Sequence, residues 1–270
     1  MKKPASYPAF IILLLILINL SANSQNYTPA RTYSDPKLVQ DFLCSEVVYP
    51  SNELETGVEG KVIIGFIVEI DGSVSNIRIK EKVNPELDSE ALRLFRMLLW
   101  EPALSYGSPV SSENEFPIDF SIKKYNKHCK LRGYGEITFP YQPVDSSNIV
   151  YEPAKIDRKP YPVFDEKGMS LEKFIAKNIQ YPETAYRQSL SGKVKLRFVV
   201  EPQGRVSNIQ VLQSVGGGCN QEAIRLLQMI KWMPGIKNQA AVRTFMTMEI
   251  EFKLPEDTDT QMFDGQQNSN

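Results

Sequence analysis

Few side chains in this sequence have the types and spacing that an active site needs. The 270 residues include one histidine, His128, and Cys129 follows it directly. A histidine can activate a cysteine as a nucleophile, but adjacent residues rarely point at one site. No two cysteines have the C-x-x-C spacing of a metal centre. The sequence therefore predicts a protein that is not an enzyme and that binds no cofactor or metal.

Residues 216–218 are three consecutive glycines that precede a predicted helix. Backbone N–H groups at the start of a helix can hold an anion such as a phosphate. This stretch lacks the Lys-Ser/Thr pair that follows the glycines of a phosphate-binding loop. We therefore interpret it as a flexible connection into the helix.

An internal repeat determines the architecture. The Tyr-Pro pair that begins at Tyr181 also occurs 132 positions earlier, at Tyr49, and no gap separates the later matches. Such regular self-similarity indicates a tandem duplication. The other matches are Gly60-Lys61-Val62 with Gly192-Lys193-Val194, Val74-Ser75-Asn76-Ile77 with Val206-Ser207-Asn208-Ile209, Glu90-Ala91 with Glu222-Ala223, Trp100 and Pro102 with Trp232 and Pro234, and Ile118 and Phe120 with Ile250 and Phe252.

Hydrophobic periodicity predicts the same elements in each copy. Apolar and polar residues alternate along the predicted strands, and apolar residues recur every three or four positions along the helices. The fold class is therefore α+β: two tandem two-layer modules, each a three-stranded antiparallel sheet with helices on one face. In the second copy the predicted helices are residues 169–180, 182–189 and 220–232, and the predicted strands are residues 193–201, 205–213 and 242–254.

Several recurring residues are assigned structural roles. Trp100 and Trp232 are predicted core anchors. The recurring pairs Glu69 with Glu201 and Arg93 with Arg225 are predicted to lie on solvated faces. Cys219 replaces Leu87 of the first copy and is predicted to fill the core. Whether Cys44 and Cys129, which bracket the first copy, form a disulfide is left open.

The N-terminus has the pattern of an export signal. Lys2 and Lys3 precede the apolar residues 9–20, and small residues lead to a predicted cleavage before Gln25. Twelve apolar residues span about 18 Å as a helix, against about 30 Å of hydrocarbon in a membrane. The mature chain is predicted to be periplasmic or secreted, and a retained inner-membrane anchor is the alternative.

The predicted domain plan places the two repeats between polar segments. The net charge of −1 gives no basic surface for nucleic acid, so none is predicted as a partner. The plan is a signal peptide at residues 1–24, a linker at 25–36, a divergent first repeat at 37–125, a second linker at 126–167, the second repeat at 168–255 and a disordered tail at 256–270.

The second copy resembles the C-terminal domain of TonB, the energy-transducing protein of the bacterial envelope. The resemblance runs through YPETAYRQSLSGKVKLRFVVEPQGRVSNIQVLQS, then EAIRLLQMIKWMPG and the closing IEFKL. The first copy has the same pattern more weakly, because residues 84–86 replace the glycines and Ala103 replaces Gly235. The resemblance implies a TonB/TolA-like α+β fold, a periplasmic location and a binding function.

In that family the domain binds a short peptide box of an outer-membrane transporter by adding it to the sheet edge beside the last strand. The resemblance thus implies a TonB-dependent transporter or another envelope protein as partner, and a link to energy-dependent transport. The expected contact residues are Thr247, Glu249 and Glu251 of the last strand, together with Gln180, Tyr181 and Pro182, for which a purely structural corner is the equal alternative.

One difference between the copies predicts which accepts the peptide better. Pro117 stands where the second copy has Glu249. A proline removes a backbone donor and is typical of an edge strand. We therefore expect the second copy to be the better acceptor. Ile63 and Ile67, on the outward positions of the first copy, indicate a surface that is covered by the linker between the repeats, by the second repeat or by another protein.

Two other functions remain as alternatives. The first is a membrane-anchored transducer coupled to an ExbB–ExbD-type proton motor, which requires that the N-terminus be retained. The apolar segment has no histidine, and residues 25–36 would reach only about 40 Å when extended. The second is an enzyme or cell-wall-processing factor, for which the sequence supplies no residues.

Overall fold

The structure is a computed structural model that describes residues 26–131, 144–145 and 147–254. The predicted signal peptide, its cleavage site and the predicted tail lie outside the described residues, as do the side chains of His128 and Cys129. The chain divides into two compact units, with the boundary after Gly133.

The first unit contains the first repeat. Strand β3 is the centre of a three-stranded antiparallel sheet in the order β4-β3-β8. Its elements are β1 (Tyr27–Thr28), β2 (Arg31–Thr32), α1 (Pro36–Glu46), α2 (Ser51–Thr56), β3 (Gly60–Val68), β4 (Val74–Glu81), α3 (Pro85–Phe95), β5 (Trp100–Glu101), β6 (Ala103–Ser105), β7 (Ser108–Val110), β8 (Ser112–Phe120) and α4 (Ile122–Leu131).

The second unit contains the second repeat and part of the segment before it. Its main strands follow the order β12-β11-β15, which matches the first unit. Its elements are β9 (Val150–Tyr151), a 3₁₀ turn (Pro153–Lys155), β10 (Tyr161–Val163), α5 (Leu171–Asn178), α6 (Glu183–Arg187), β11 (Gly192–Val200), β12 (Val206–Gln213), α7 (Cys219–Met229), β13 (Lys231–Met233), β14 (Gly235–Lys237) and β15 (Ala240–Phe252).

These elements confirm the predicted α+β class with antiparallel three-stranded sheets. The two copies also share one register, because Ile63 faces Pro117 in the first and Lys195 faces Glu249 in the second. In each copy one side of the central strand is buried and packs against the long helix. The largest buried side chains of the two cores include Phe66, Leu87, Phe95, Phe198, Leu226 and Phe252.

The predicted helix at residues 220–232 is too long. It ends at Met229, Ile230 is extended, and Trp232 lies in strand β13. The reason is tertiary: β13 pairs with β10, so that Trp232 faces Pro162 across the ladder. A local helical pattern could not reveal a partner strand some 70 residues away in sequence.

Glycines 216–218 meet a steric requirement. All three have positive φ angles, between 58° and 95°. A Cβ atom on Gly217 would lie 2.8 Å from the Cα atom of Ala185, which is too close for any side chain. In the first repeat Asn84 instead caps α3 with its side chain, so the two copies begin this helix by different means.

Candidate functional site

The outer edge of the last strand is the candidate site in each repeat. A proline within a paired strand has its nitrogen facing away from the partner strand. Pro117 is paired with Ile63 of β3, so its nitrogen faces the outer edge of β8. Because backbone direction alternates along a strand, Glu115 and Asp119 direct their N–H and C=O groups to the same edge.

The same alternation applies to β15, which has the same register. The carbonyl of Ala241 accepts a hydrogen bond from the N–H of Asp145 at 3.0 Å, on the side away from β11. Every second residue after Ala241 therefore presents its backbone to this side. The predicted contact residues Thr247, Glu249 and Glu251 are among them, and all three side chains are exposed.

The start of this edge is already occupied by the chain itself. Strand β9 pairs in parallel with Arg243 and Thr244, and Val144 forms a parallel bridge with Ala241. No other strand in the described part of the chain pairs with this side of β15 beyond Thr244. Within the described residues, an edge of eight residues, 245–252, therefore has no strand partner beside β9 and is called the open edge below.

A buried ion pair binds the segment that pairs with the start of this edge. We call this segment, residues 147–152, the covering segment. Arg243 donates to both carboxylate oxygens of Glu201 at 2.9 Å, and both side chains are at most 3% exposed. Arg243 also donates to the carbonyl of Asn148 at 3.1 Å. The hydroxyl of Ser207 donates to Glu201 as well. The covering segment is thus bonded to the interior of the second repeat.

The prediction that Glu201 lies on a solvated face is therefore wrong. Its counterpart Glu69 does lie near solvent, where hydrogen bonds from Ser75 and Ser111 lower the pKa of the carboxyl group. The difference has a visible sequence signal, because Arg243 stands where the first repeat has Ser111. An arginine that is present in only one copy and lies near a glutamate that both copies share indicates a buried ion pair. The sequence analysis did not use this pattern.

A second set of contacts anchors the covering segment from its outer side. Arg197 forms an ion pair with Glu152 at 2.9 Å and lies 4.0 Å above the ring of Phe245. Lys237 lies 4.3 Å above the ring of Tyr151. The ion pair at Glu152 and the cation–π contact at Tyr151 therefore tie the segment to β11 and β14.

The Tyr-Pro corner lies at the far end of β15. The Tyr181 hydroxyl donates to the carbonyl of Leu190, and its ring meets Phe252 edge-on at 6.0 Å. Burial raises the pKa of Tyr181. The Gln180 side chain is exposed, while its backbone N–H donates to Glu222 at 2.7 Å. Pro182 forms the N-cap of α6.

Arg225 and its counterpart Arg93 brace the corners in both repeats. Arg225 binds the mostly buried Glu222 and donates to the carbonyl of Asn178 at 2.7 Å. Arg93 makes the corresponding bonds to Glu90 and to the carbonyl of Glu46. The side chains of Arg93 and Arg225 are 42% and 38% exposed, which agrees with the predicted solvated face. The sequence analysis did not predict their bonds to the buried carboxylates of Glu90 and Glu222.

Comparison with known proteins identifies the two repeats. The family model for the Gram-negative bacterial TonB protein C-terminal matches residues 45–122 and 177–254, together more than half of the chain. The chain belongs to the TonB C-terminal family. TonB C-terminal domains are interaction domains rather than enzymes, and TonB proteins are associated with the cell envelope.

Two solved TonB C-terminal domains are similar to part of the chain. That of Helicobacter pylori (residues 194–285) is 24% identical and aligns over 32% of this chain and 91% of its own, with a TM-score of 0.25. That of Pseudomonas aeruginosa is 23% identical and aligns over 37% of this chain and 91% of its own, with a TM-score of 0.27. No curated protein matched the chain.

The described residues contain neither a membrane-spanning helix nor a metal site. None of the helices among residues 26–131 and 147–254 is long and apolar enough to cross a membrane. Within the same ranges, no cluster of three His, Cys, Asp or Glu side chains could hold a metal ion.

Replacing Arg243 with serine, the residue of the first repeat, tests the buried ion pair. The change leaves the Glu201 carboxylate buried without its cation, so the second repeat should lose about 3–5 kcal/mol of unfolding free energy. Urea denaturation followed by amide NMR signals of β11 and β15 would measure the loss.

The matched control is Arg197→Ala. Arg197 also contacts the covering segment, but its ion pair with Glu152 is partly exposed. Such pairs are worth less than about 1 kcal/mol. Equal losses in the two variants would show that the Glu201–Arg243 pair has no special role.

Proposed function

We propose that this TonB-family chain binds TonB-box-like peptides of outer-membrane transporters by strand addition at the open edge of β15. The binding is linked to energy-dependent transport across the outer membrane. The observation that supports this most strongly is the open edge at residues 245–252, beside a stretch of the same edge that already accepts β9.

Backbone pairing suits this edge because it makes little demand on the guest's side chains. An unpaired strand edge offers a row of N–H and C=O groups to any extended peptide. The outward backbone groups of Thr247, Glu249 and Glu251 supply that row. β9 limits the row at its start, so a guest that pairs with the open stretch spans about seven or eight residues.

The second repeat is proposed as the better backbone acceptor. At the corresponding position of β8, Pro117 has no N–H group to donate. A guest on β8 therefore loses one hydrogen bond that a guest on β15 keeps at Glu249. The exposed corner residue Gln180 is proposed as an additional contact, with Tyr181 and Pro182 positioning it near the end of β15.

Transferring the proline of the first repeat to the second tests the proposed mode. In Glu249→Pro the missing N–H faces outward, so the sheet should remain intact, as it does around Pro117. Loss of one backbone hydrogen bond, worth about 0.5–1.5 kcal/mol, should weaken peptide binding about 2- to 12-fold. The measurement is calorimetric titration of the intact chain with a synthetic TonB-box peptide from a transporter.

Glu249→Ala is the control, because it removes the side chain and keeps the backbone N–H. We expect it to bind the peptide as the unaltered chain does. If alanine weakens binding as much as proline, the side chain rather than the backbone is recognised and strand addition is wrong.

N-terminal sequencing of the envelope-extracted protein distinguishes the proposed binding protein from an anchored transducer. Cleavage by signal peptidase should give a mature chain that begins at Gln25. A chain that still carries residues 1–24 would favour the membrane-anchored transducer, with its ExbB–ExbD-type motor as an additional partner.

A further inference from the structure

The first repeat has an apolar groove beside its own sheet edge. The groove runs between α1 and β8 and has a volume of about 460 Å³. One wall consists of side chains spaced four residues apart, Val39 and Leu43 on α1 and Val47 directly after it. The other wall is the unbroken run of residues 114–121. The groove therefore follows the outer edge of β8 rather than ending against a single side chain.

That edge carries backbone groups that a guest could pair with. Among the described residues, β8 pairs with β3 alone, from Ser112 to Phe120. Glu115 and Asp119 direct their backbone N–H and C=O groups outward, toward the side on which the groove lies. Only an extended backbone matches the spacing of such groups along a strand.

A buried donor also lies at the groove. Trp100 lines it, is 6% exposed, and has an indole N–H without a hydrogen-bond acceptor in the described structure. The indole N–H of Trp232 in the second repeat also has no acceptor in the described structure. Trp100 lines the groove and Trp232 does not, so Trp100 is the residue whose signal reports on the groove.

We propose that this groove takes a large apolar side chain, aromatic by preference, from an extended partner peptide that pairs with β8. This inference rests on the proposed strand addition and extends it to a second, chemically different site. Pro117 removes one backbone donor from the edge of β8. Burial of the guest's apolar side chain therefore supplies a larger share of the binding free energy at β8 than at β15. The two repeats therefore select different segments: the first by a bulky apolar residue, and the second by backbone pairing.

The chain's two tryptophans give a separate signal for each repeat. The probe is a capped octapeptide of alternating threonine and valine in which one central valine is replaced by phenylalanine. Titrated into the isotope-labelled intact chain, it should shift the indole N–H signal of Trp100 and the backbone amides of β8. A peptide with alanine in place of the phenylalanine should bind the first repeat at least tenfold more weakly and bind β15 unchanged.

Two substitutions on α1 form a matched pair. Gln40 is exposed and lines the groove, whereas Asp41 is exposed and does not line it. Gln40→Phe should fill the groove and weaken binding of the phenylalanine peptide to the first repeat at least tenfold. Asp41→Phe should leave it unchanged, and the amide spectrum of each variant would verify that the repeat is folded.

The possible results separate this inference from the proposed function. If the peptide perturbs β15 and leaves Trp100 unmoved, the groove has no such role, and strand addition at the second repeat stands. If Trp100 responds equally to a peptide with N-methylated backbone amides, the groove binds side chains without strand pairing, and the inference is wrong. A response from neither repeat contradicts both proposals. Light scattering of the free chain provides a further test. If the unaltered chain is a dimer and the Gln40→Phe variant is a monomer, the groove is occupied by a second copy of the chain, and the inference of a partner peptide is wrong.

Discussion

The alternation of backbone direction along the last strand is the constraint on which the candidate site depends. Once the last strand is paired with the central strand of its sheet, every second residue must present its backbone to the outside. The shared register fixes the same parity in both repeats, with Pro117 and Glu249 at equivalent positions. A one-residue slip would reverse which groups face the edge and also place Ile250 and Phe252 on the outer face. The buried core therefore holds the edge in this orientation.

The two copies have diverged around this common edge in opposite ways. In the second repeat a buried ion pair binds the covering segment, which closes the start of the edge and covers the nearby outer face. In the first repeat Ser111 replaces the arginine, and the corresponding glutamate stays near solvent. The first repeat instead carries a proline on the edge and an apolar groove beside it. The outer edges of β8 and β15 therefore share one backbone geometry, but they differ in the residues on and beside them.

Much of the fold could be predicted from sequence because the repeat supplied two independent readings of each element. The strand alternation at residues 193–201 and the helix stripe around Leu226 needed no tertiary information. The end of the helix near Trp232 did need it, because the strand that pairs there comes from the preceding linker. The burial of Glu201 does have a sequence signal in Arg243, but the bond of Arg243 to the covering segment follows no periodic pattern in the sequence. The residues of the open edge were predicted from the family resemblance, whereas the groove of the first repeat was not found at all.

Amide hydrogen exchange of β15 in the free chain and in its complex with a TonB-box peptide tests the central claim most directly. In the free chain the amides of Met246, Met248 and Ile250, which face β11, should be protected, while those of Thr247, Glu249 and Glu251 exchange rapidly. The peptide should slow the second set and leave the first unchanged. Protection of all six amides in the free chain would show that the edge is already occupied, and the proposed binding mode would be contradicted.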